Sequence, residues 1–195
     1  RGEGEEDQDE AEPVLGYDGM DVDTLIEWMD GSAPDRSTLE RIPPVLQDGW
    51  RTAPQVLFAG AAGNAGASLQ DENPATRFSL PNFLMVGAVD RNGAATDWTN
   101  TGAEISLFAN GDRVPARLPG GSVSYPSGTS MAAPLVANTA AKMLAVAPGL
   151  GGARLRELLE ASATPNATGQ RLLDPRAAVD AARAEAAAGR ARTAM

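Results

Sequence analysis

The chain has 195 residues, a hydrophobic fraction of 43%, no cysteine, no histidine and a formal net charge of −10. Its length and composition fit one globular domain, and the missing cysteines exclude disulfides. The acidic balance disfavours nucleic acid and anionic membranes as partners, and no apolar run approaches the roughly 18 residues of a membrane span. Without histidine, the sequence lacks the commonest general base and the commonest metal ligand.

The amino-terminal part of the chain is the least informative. Residues 1–13 are acidic and show no apolar periodicity, so we expect a disordered tail or a cut linker. The segment 22–29 fits either a strand or a short helix, and 37–40 fits a capping box whose helix is kept short by the prolines at 43 and 44. We assign the folded domain to residues 14–188 and expect 189–195 to fray.

Three short apolar runs predict buried strands. They cover residues 55–59, 83–89 and 105–109. The first run leads into a glycine-rich turn at 60–66, and the second is closed by a polar turn at 90–93. Strands that are apolar on both faces and end in glycine-rich turns are typical of parallel sheets.

Three helices follow these strands. The apolar segment 130–146 predicts a buried helix about 25 Å long, with Pro134 in its first turn. Leucines at 155, 158 and 159 predict an amphipathic surface helix over 152–162, and Asp174 caps a final alanine-rich helix. The predicted fold class is therefore α/β, with short parallel strands flanked by helices.

The helix at 130–146 opens on an unusual sequence, Ser127-Gly128-Thr129-Ser130. Gly128 allows close approach of the backbone, and either Thr129 or Ser130 can cap the helix. A hydroxyl at this position lies beside unpaired N–H groups and the positive end of the helix dipole, which suits a developing anion. An ordinary capped, buried helix is the alternative interpretation.

Two segments together resemble the subtilisin-like serine proteases (subtilases). Gly128-Thr129-Ser130-Met131-Ala132-Ala133-Pro134 is similar to that family's nucleophile motif, with Ser130 as the nucleophile. Ala61-Ala62-Gly63-Asn64-Ala65-Gly66 is similar to its oxyanion-hole motif, with Asn64 as the side-chain donor. The separation of the two motifs is also similar, and the likeness extends over about 56–182.

The resemblance implies a subtilisin-like parallel sheet flanked by helices, of which this chain holds the C-terminal half. It implies an endopeptidase in which Ser130 Oγ attacks a peptide carbonyl, while the Ser130 N–H and the Asn64 amide hold the oxyanion. It further implies substrate contacts at Ala61, Ala62, Gly63, Gly128 and Thr129.

The sequence departs from the family pattern at the catalytic base. The family's order is Asp, His, Asn, Ser, and this chain holds only the last two. None of the early aspartates, Asp18, Asp21 and Asp23, lies in the triad motif. Lys142 lies about three helical turns beyond Ser130, which is too far for a Ser–Lys dyad. We therefore expect a companion chain, the N-terminal half of the same protease, to supply Asp and His and complete the sheet.

Other expectations follow from the resemblance. A pseudoprotease half that binds peptides or scaffolds a complex is the alternative function, and an inert fragment is a third. No cofactor is expected for the chemistry; calcium is common in the family, but no acidic cluster here has clear ligand spacing. If Asp30 lines the S1 pocket, basic P1 residues are favoured. A secreted or periplasmic location is favoured by the resemblance.

Overall fold

The computed structural model describes residues 49–69 and 80–193. Predictions that fall on residues 1–48, including the acidic tail, Asp18, Asp21, Asp23 and Asp30, lie outside the described residues. The elements are β1 (Phe58–Ala61), β2 (Phe83–Val89), β3 (Ile105–Asn110), β4 (Ala116–Arg117), β5 (Val123–Ser124), α1 (Thr129–Val146), α2 (Gly152–Ser162), β6 (Thr164–Pro165), β7 (Arg171–Leu172) and α3 (Pro175–Thr193).

The main sheet is mostly parallel, which confirms the predicted fold class. Its strand order is β1-β2-β3-β7-β6, with parallel pairing throughout except between β6 and β7. The strands β4 and β5 form a separate antiparallel pair. The two-residue strands β4 to β7 have no counterpart in the sequence predictions because two residues are too short to carry a periodic signal.

The central strand β2 occupies its predicted bounds and is buried along its whole length. Successive side chains point to opposite faces of a strand. Leu84, Val86 and Ala88 accordingly join the core that includes residues of α1, α2 and α3. Phe83 and Met85 join a second core on the other face. A strand covered on both faces must be apolar at every position, which is why this run was recognisable in the sequence.

The first strand differs from its prediction. The sequence places it at 55–59, whereas β1 covers Phe58–Ala61 and includes the first two residues of the predicted turn. The Val56 N–H donates to the Ala53 carbonyl, so this residue lies in a turn. The first hydrogen bond toward β2 is the one that the Phe58 N–H donates to the Asn82 carbonyl. Parallel pairing with β2 continues through Gly60 and through Ala61, which lies opposite Val86. These two small residues therefore belong to the strand and not to the turn.

Helix α1 corrects two predictions. Its burial is one-sided: Ala132, Val136 and Met143 are buried, whereas Leu135, at the flank of this buried stripe, is 36% exposed. The helix begins at Thr129 rather than Ser130, so Pro134 is its sixth residue and lies beyond the first turn. At that position proline removes the hydrogen bond that would otherwise reach the Ser130 carbonyl.

Helix α3 begins as predicted and continues past Gly189 to Thr193. The Asp174 carboxylate accepts hydrogen bonds from the N–H groups of Arg176 (3.0 Å) and Ala177 (2.9 Å), and Pro175 occupies the first helical position. The cap explains why an alanine-rich segment forms a helix at this point.

Gly189→Ala is expected to raise the stability of the fold by about 0.5–1 kcal/mol, because alanine costs less backbone entropy than glycine inside a helix. A β-carbon at Gly189 would meet no atom within 4 Å. The thermal unfolding midpoint measures the effect, and an unchanged or lower midpoint would show that α3 does not extend through this residue in solution.

Candidate active site

The site lies at the carboxyl edge of the parallel sheet. The glycine-rich loop after β1 and the amino terminus of α1 meet at this edge, where ligands commonly bind in open α/β sheets. Gly111, which follows β3, connects the start of α1 to the sheet: its N–H donates to the Val89 carbonyl (2.9 Å), and its carbonyl accepts the Gly128 N–H (2.8 Å). The start of α1 is thereby fixed to the ends of β2 and β3.

Asn64 contacts the first residue of α1 across the site. Its Oδ1 accepts hydrogen bonds from the Thr129 N–H (2.8 Å) and from the Thr129 hydroxyl (2.9 Å). A backbone N–H can only donate, so the oxygen of the Asn64 amide must face Thr129 and the NH₂ must face away. The helix is therefore capped by a side chain from another loop, and not by Thr129 or Ser130 as the sequence predicts; its own N-cap residue, Gly128, provides no side-chain bond.

Thr129 connects the two motifs. It is only 1% exposed, and its Oγ1 accepts a hydrogen bond from the Gly63 N–H (3.0 Å) while donating to Asn64. Because this hydroxyl both donates and accepts, it links Thr129 to Asn64 and Gly63, which lie 65 and 66 positions earlier in the chain. This contact fixes the geometry of the Asn64 amide relative to the helix.

Ser130 is exposed, although it directly follows the buried residues Gly128 and Thr129. A β-carbon at Gly128 would lie 3.0 Å from Ser130 Oγ and 3.5 Å from Asn64 Nδ2, so these two polar atoms flank one point in front of the glycine. Glycine leaves that point open. A hydroxyl, a neutral N–H donor and the positive end of a helix therefore lie close together at Gly128. The donor and the helix end both favour an anionic oxygen nearby.

Apart from Asn64 and Ser130, the predicted site residues lie at the end of β1 and at the start of α1. Ala61 is exposed at the end of β1, whereas Ala62 is buried. The Ala62 N–H donates to the Val86 carbonyl, and the Gly63 carbonyl accepts the Asn100 N–H. The substrate contacts assigned to Ala61, Ala62, Gly63, Gly128 and Thr129 stay predictions. Lys142 is exposed on α1, within its last two turns.

Sequence reasoning missed Asn100. This residue is 1% exposed, and its side chain accepts hydrogen bonds from Ala65 and Ala67 and donates one to the Ala62 carbonyl. It lies in a polar, glycine-bearing loop between β2 and β3, where a single asparagine gives no signal distinct from an ordinary turn residue. Its burial and its partners are visible only in three dimensions.

Within the described ranges, no group of three or more acidic residues could hold a metal ion. The expectation about calcium stays a prediction. No helix in residues 49–69 or 80–193 is long and apolar enough to cross a membrane.

Comparison with known proteins identifies the family. The model of the peptidase S8 subtilase family matches residues 29–182. The chain belongs to the subtilase family. It is 35% identical over 109 residues to subtilisin E of Bacillus subtilis (strain 168), covering 56% of this chain and 29% of that protein. It is 38% identical over 122 residues to subtilisin-like protease 1 of Trichophyton verrucosum, covering 58% of this chain and 30% of that protein.

Solved subtilase structures share the fold. The self-cleaved protease domain of PatA has a TM-score of 0.59 at 31% identity, covering 73% of this chain and 55% of that chain. A cold adapted subtilisin-like serine proteinase has a TM-score of 0.59 at 30% identity, covering 68% of this chain and 49% of that chain. The chain therefore spans less than a third of the two sequence relatives and about half of these structures.

Proposed function

We propose that this chain is the serine-bearing half of a two-chain or nicked subtilisin-like endopeptidase. The chain would hydrolyse peptide bonds through an acyl-enzyme on Ser130, with Asn64 in the oxyanion hole. The observation that carries the proposal is the proximity of Asn64 Nδ2 and Ser130 Oγ, which lie 3.5 Å and 3.0 Å from the position that a β-carbon at Gly128 would take, at the start of α1. Membership of the subtilase family supports peptide hydrolysis as the reaction.

The geometry supports a specific division of roles. Ser130 Oγ attacks the scissile carbonyl, and the carbonyl oxygen becomes negative in the tetrahedral intermediate. The Asn64 NH₂ and the Ser130 N–H donate to that oxygen, and the amino terminus of α1 adds a favourable field. Thr129 holds Asn64 in place through its hydroxyl and its N–H. A neutral amide suits this task because it stabilises charge without transferring a proton.

The general base is supplied from outside this sequence, since the 195 residues contain no histidine. We propose that a companion polypeptide, the N-terminal half of the same protease, provides the Asp and the His. Two features support this. Within the described residues, β1 pairs on one edge only, and the apolar side chain of Leu135 on α1 is 36% exposed. An unpaired strand edge and an exposed apolar side chain each favour association unless another element covers them.

The proposal extends to the substrate cleft and the surroundings of the enzyme. Peptide substrate would lie against residues 61–63 and against Gly128 and Thr129, beside Ser130. No cofactor is required for the acyl-transfer chemistry, and structural calcium is an addition that the family resemblance alone suggests. A secreted or periplasmic location rests on the same resemblance.

Reconstitution tests the companion. Peptidase activity is measured for this chain alone, for the polypeptide that co-purifies with it, and for the two combined. We expect activity only from the combination, and we expect the co-purifying sequence to contain subtilase Asp and His motifs. A chain that purifies as a soluble monomer and unfolds cooperatively without a companion contradicts the proposal. An assembled complex that binds peptides without cleaving them would indicate the pseudoprotease instead.

Thr129→Val is expected to lower kcat of the assembled protease by about tenfold to a hundredfold, because it removes the hydroxyl that bonds both Gly63 and Asn64 while keeping the volume of the side chain. It also leaves a partly buried Gly63 N–H unpaired, which costs about 1–3 kcal/mol of stability. Thr129→Ser, which keeps the hydroxyl, is the control and should retain most activity. Equal activity of the two variants would contradict the role of the hydroxyl.

A further inference from the structure

Asn100 holds the loop that carries Asn64. Its Oδ1 accepts hydrogen bonds from the N–H groups of Ala65 (2.9 Å) and Ala67 (3.2 Å), and its Nδ2 donates to the Ala62 carbonyl (3.0 Å). These partners lie on both sides of Asn64 along the chain. The Asn100 backbone N–H adds a bond to the Gly63 carbonyl (3.1 Å). The backbone before and after Asn64 is thus bonded to one buried residue.

The loop needs such support because it is an irregular segment at the surface. Asn64, Ala65 and Gly66 are exposed, and no strand or helix continues through them. Two backbone hydrogen bonds also hold the loop, from the Gly66 N–H to the Trp98 carbonyl (2.8 Å) and from the Thr101 N–H to the Ala67 carbonyl (2.8 Å). Thr129 acts nearer the donor, on Gly63 and on the Asn64 side chain. Thr129 fixes the amide against the helix, whereas Asn100 fixes the backbone from which that amide projects. Thr129 therefore acts on Asn64 itself, whereas Asn100 acts through the residues on either side of it.

We propose that Asn100 is a positioning residue of the reaction, which sets the place of the Asn64 amide by fixing the backbone of residues 62–67. This inference rests on the proposed function, because the position of the Asn64 amide affects the rate only if that amide is an oxyanion donor. Oxyanion donors act only when they are already aimed at the developing charge. A displacement of about 1 Å in such a group can cost about 10²-fold in rate.

Asn82 provides a matched control at the other end of β1. It is 2% exposed, and its Nδ2 donates to the carbonyls of Trp50 (3.0 Å), Ala53 (3.1 Å) and Val56 (3.1 Å). Asn82 therefore holds the segment before β1 as Asn100 holds the segment after it. Both are buried asparagines that bond an irregular backbone, but only Asn100 lies at the carboxyl edge with Asn64. Truncation of either side chain removes comparable hydrogen bonds from the core.

The experiment compares Asn100→Ala and Asn82→Ala in the assembled protease. A fluorophosphonate reports on the site because Ser130 Oγ bonds to its phosphorus while the companion's histidine takes the hydroxyl proton and fluoride leaves. The phosphoryl oxygen then occupies the oxyanion position. Both variants should lose thermal stability to a similar extent. We expect the second-order labelling rate to fall about tenfold to a hundredfold in Asn100→Ala relative to Asn82→Ala. For a peptide substrate, kcat should fall while KM changes little.

Amide hydrogen exchange in the unaltered complex tests the inference without any variant. The Ala65 and Ala67 amides should exchange at least tenfold more slowly than surface amides of the β4–β5 turn. In Asn100→Ala this protection should be lost, and in Asn82→Ala it should remain. Equal labelling rates in the two variants, or unprotected Ala65 and Ala67 amides in the unaltered protein, overturn the inference. If the unaltered complex is not labelled at Ser130, the proposed function fails. The exchange result then still shows whether Asn100 holds the loop.

Discussion

Asn64→Asp is expected to lower kcat of the assembled protease by about 10²–10³-fold, the magnitude known for the loss of one such donor from a subtilisin. The substitution keeps an oxygen that can accept from the Thr129 N–H and hydroxyl, so the cap of α1 persists. It replaces the NH₂ by a carboxylate oxygen, which repels the oxyanion instead of stabilising it. A carboxylate is also favourable at the amino terminus of a helix. The variant should therefore be as stable as the unaltered protein while being much less active.

Asn64→Ala separates the two roles of this residue. It removes the donor and also the acceptor for Thr129, so it should lose a similar amount of activity and in addition about 1 kcal/mol of stability. The measurements are kcat and the thermal midpoint of both variants. If Asn64→Asp keeps activity near neutral pH, the amide NH₂ does not stabilise the transition state and the assigned role is wrong.

Gly111→Ala is expected to reduce stability by about 1–3 kcal/mol and to reduce the Ser130 labelling rate at least tenfold. A β-carbon at Gly111 would lie 2.7 Å from the Gly128 carbonyl oxygen and 2.7 Å from Ala88 Cβ. The first of these is backbone and the second is fixed to a fully buried strand, so neither can move aside alone. The start of α1 must therefore shift away from β3, and Ser130 shifts with it.

Gly149→Ala is the matched control for that substitution. Gly149 is exposed in the turn after α1, and an added β-carbon would meet no atom within 4 Å. Its stability and labelling rate should stay close to those of the unaltered protein. If Gly111→Ala behaves like Gly149→Ala, the close contact between the end of β3 and the start of α1 does not exist in solution.

Much of the fold could be predicted because its central elements carry strong local signals. β2 is apolar at every position, and α2 has leucines on one face, so the bounds of both agree with the sequence predictions. The burial of α1 could not be predicted in the same way. An apolar composition does not say which face is covered, and the exposure of Leu135 depends on what packs against the helix.

The candidate site was predictable as two motifs but not as one structure. The spacing of residues along the chain identifies Asn64 and Ser130, yet it does not show that Asn64 caps the helix or that Thr129 bonds Gly63. These contacts join residues 65 and 66 positions apart. Asn100 shows the same limit, because it bonds Ala65 from 35 positions away and its own sequence context is that of an ordinary loop. The Pro134 prediction was wrong because α1 begins at Thr129, which makes Pro134 its sixth residue.

Mass spectrometry of the assembled protease after reaction with a fluorophosphonate tests the central claim most directly. The proposal predicts one covalent label on Ser130 when the companion carrying Asp and His is present, and no label on this chain alone. Ser130→Ala should abolish the label without changing the thermal midpoint, because the Ser130 side chain is exposed. An assembled complex that contains both Asp and His but takes no label, or that is still labelled in Ser130→Ala, would contradict the assignment of Ser130 as the nucleophile.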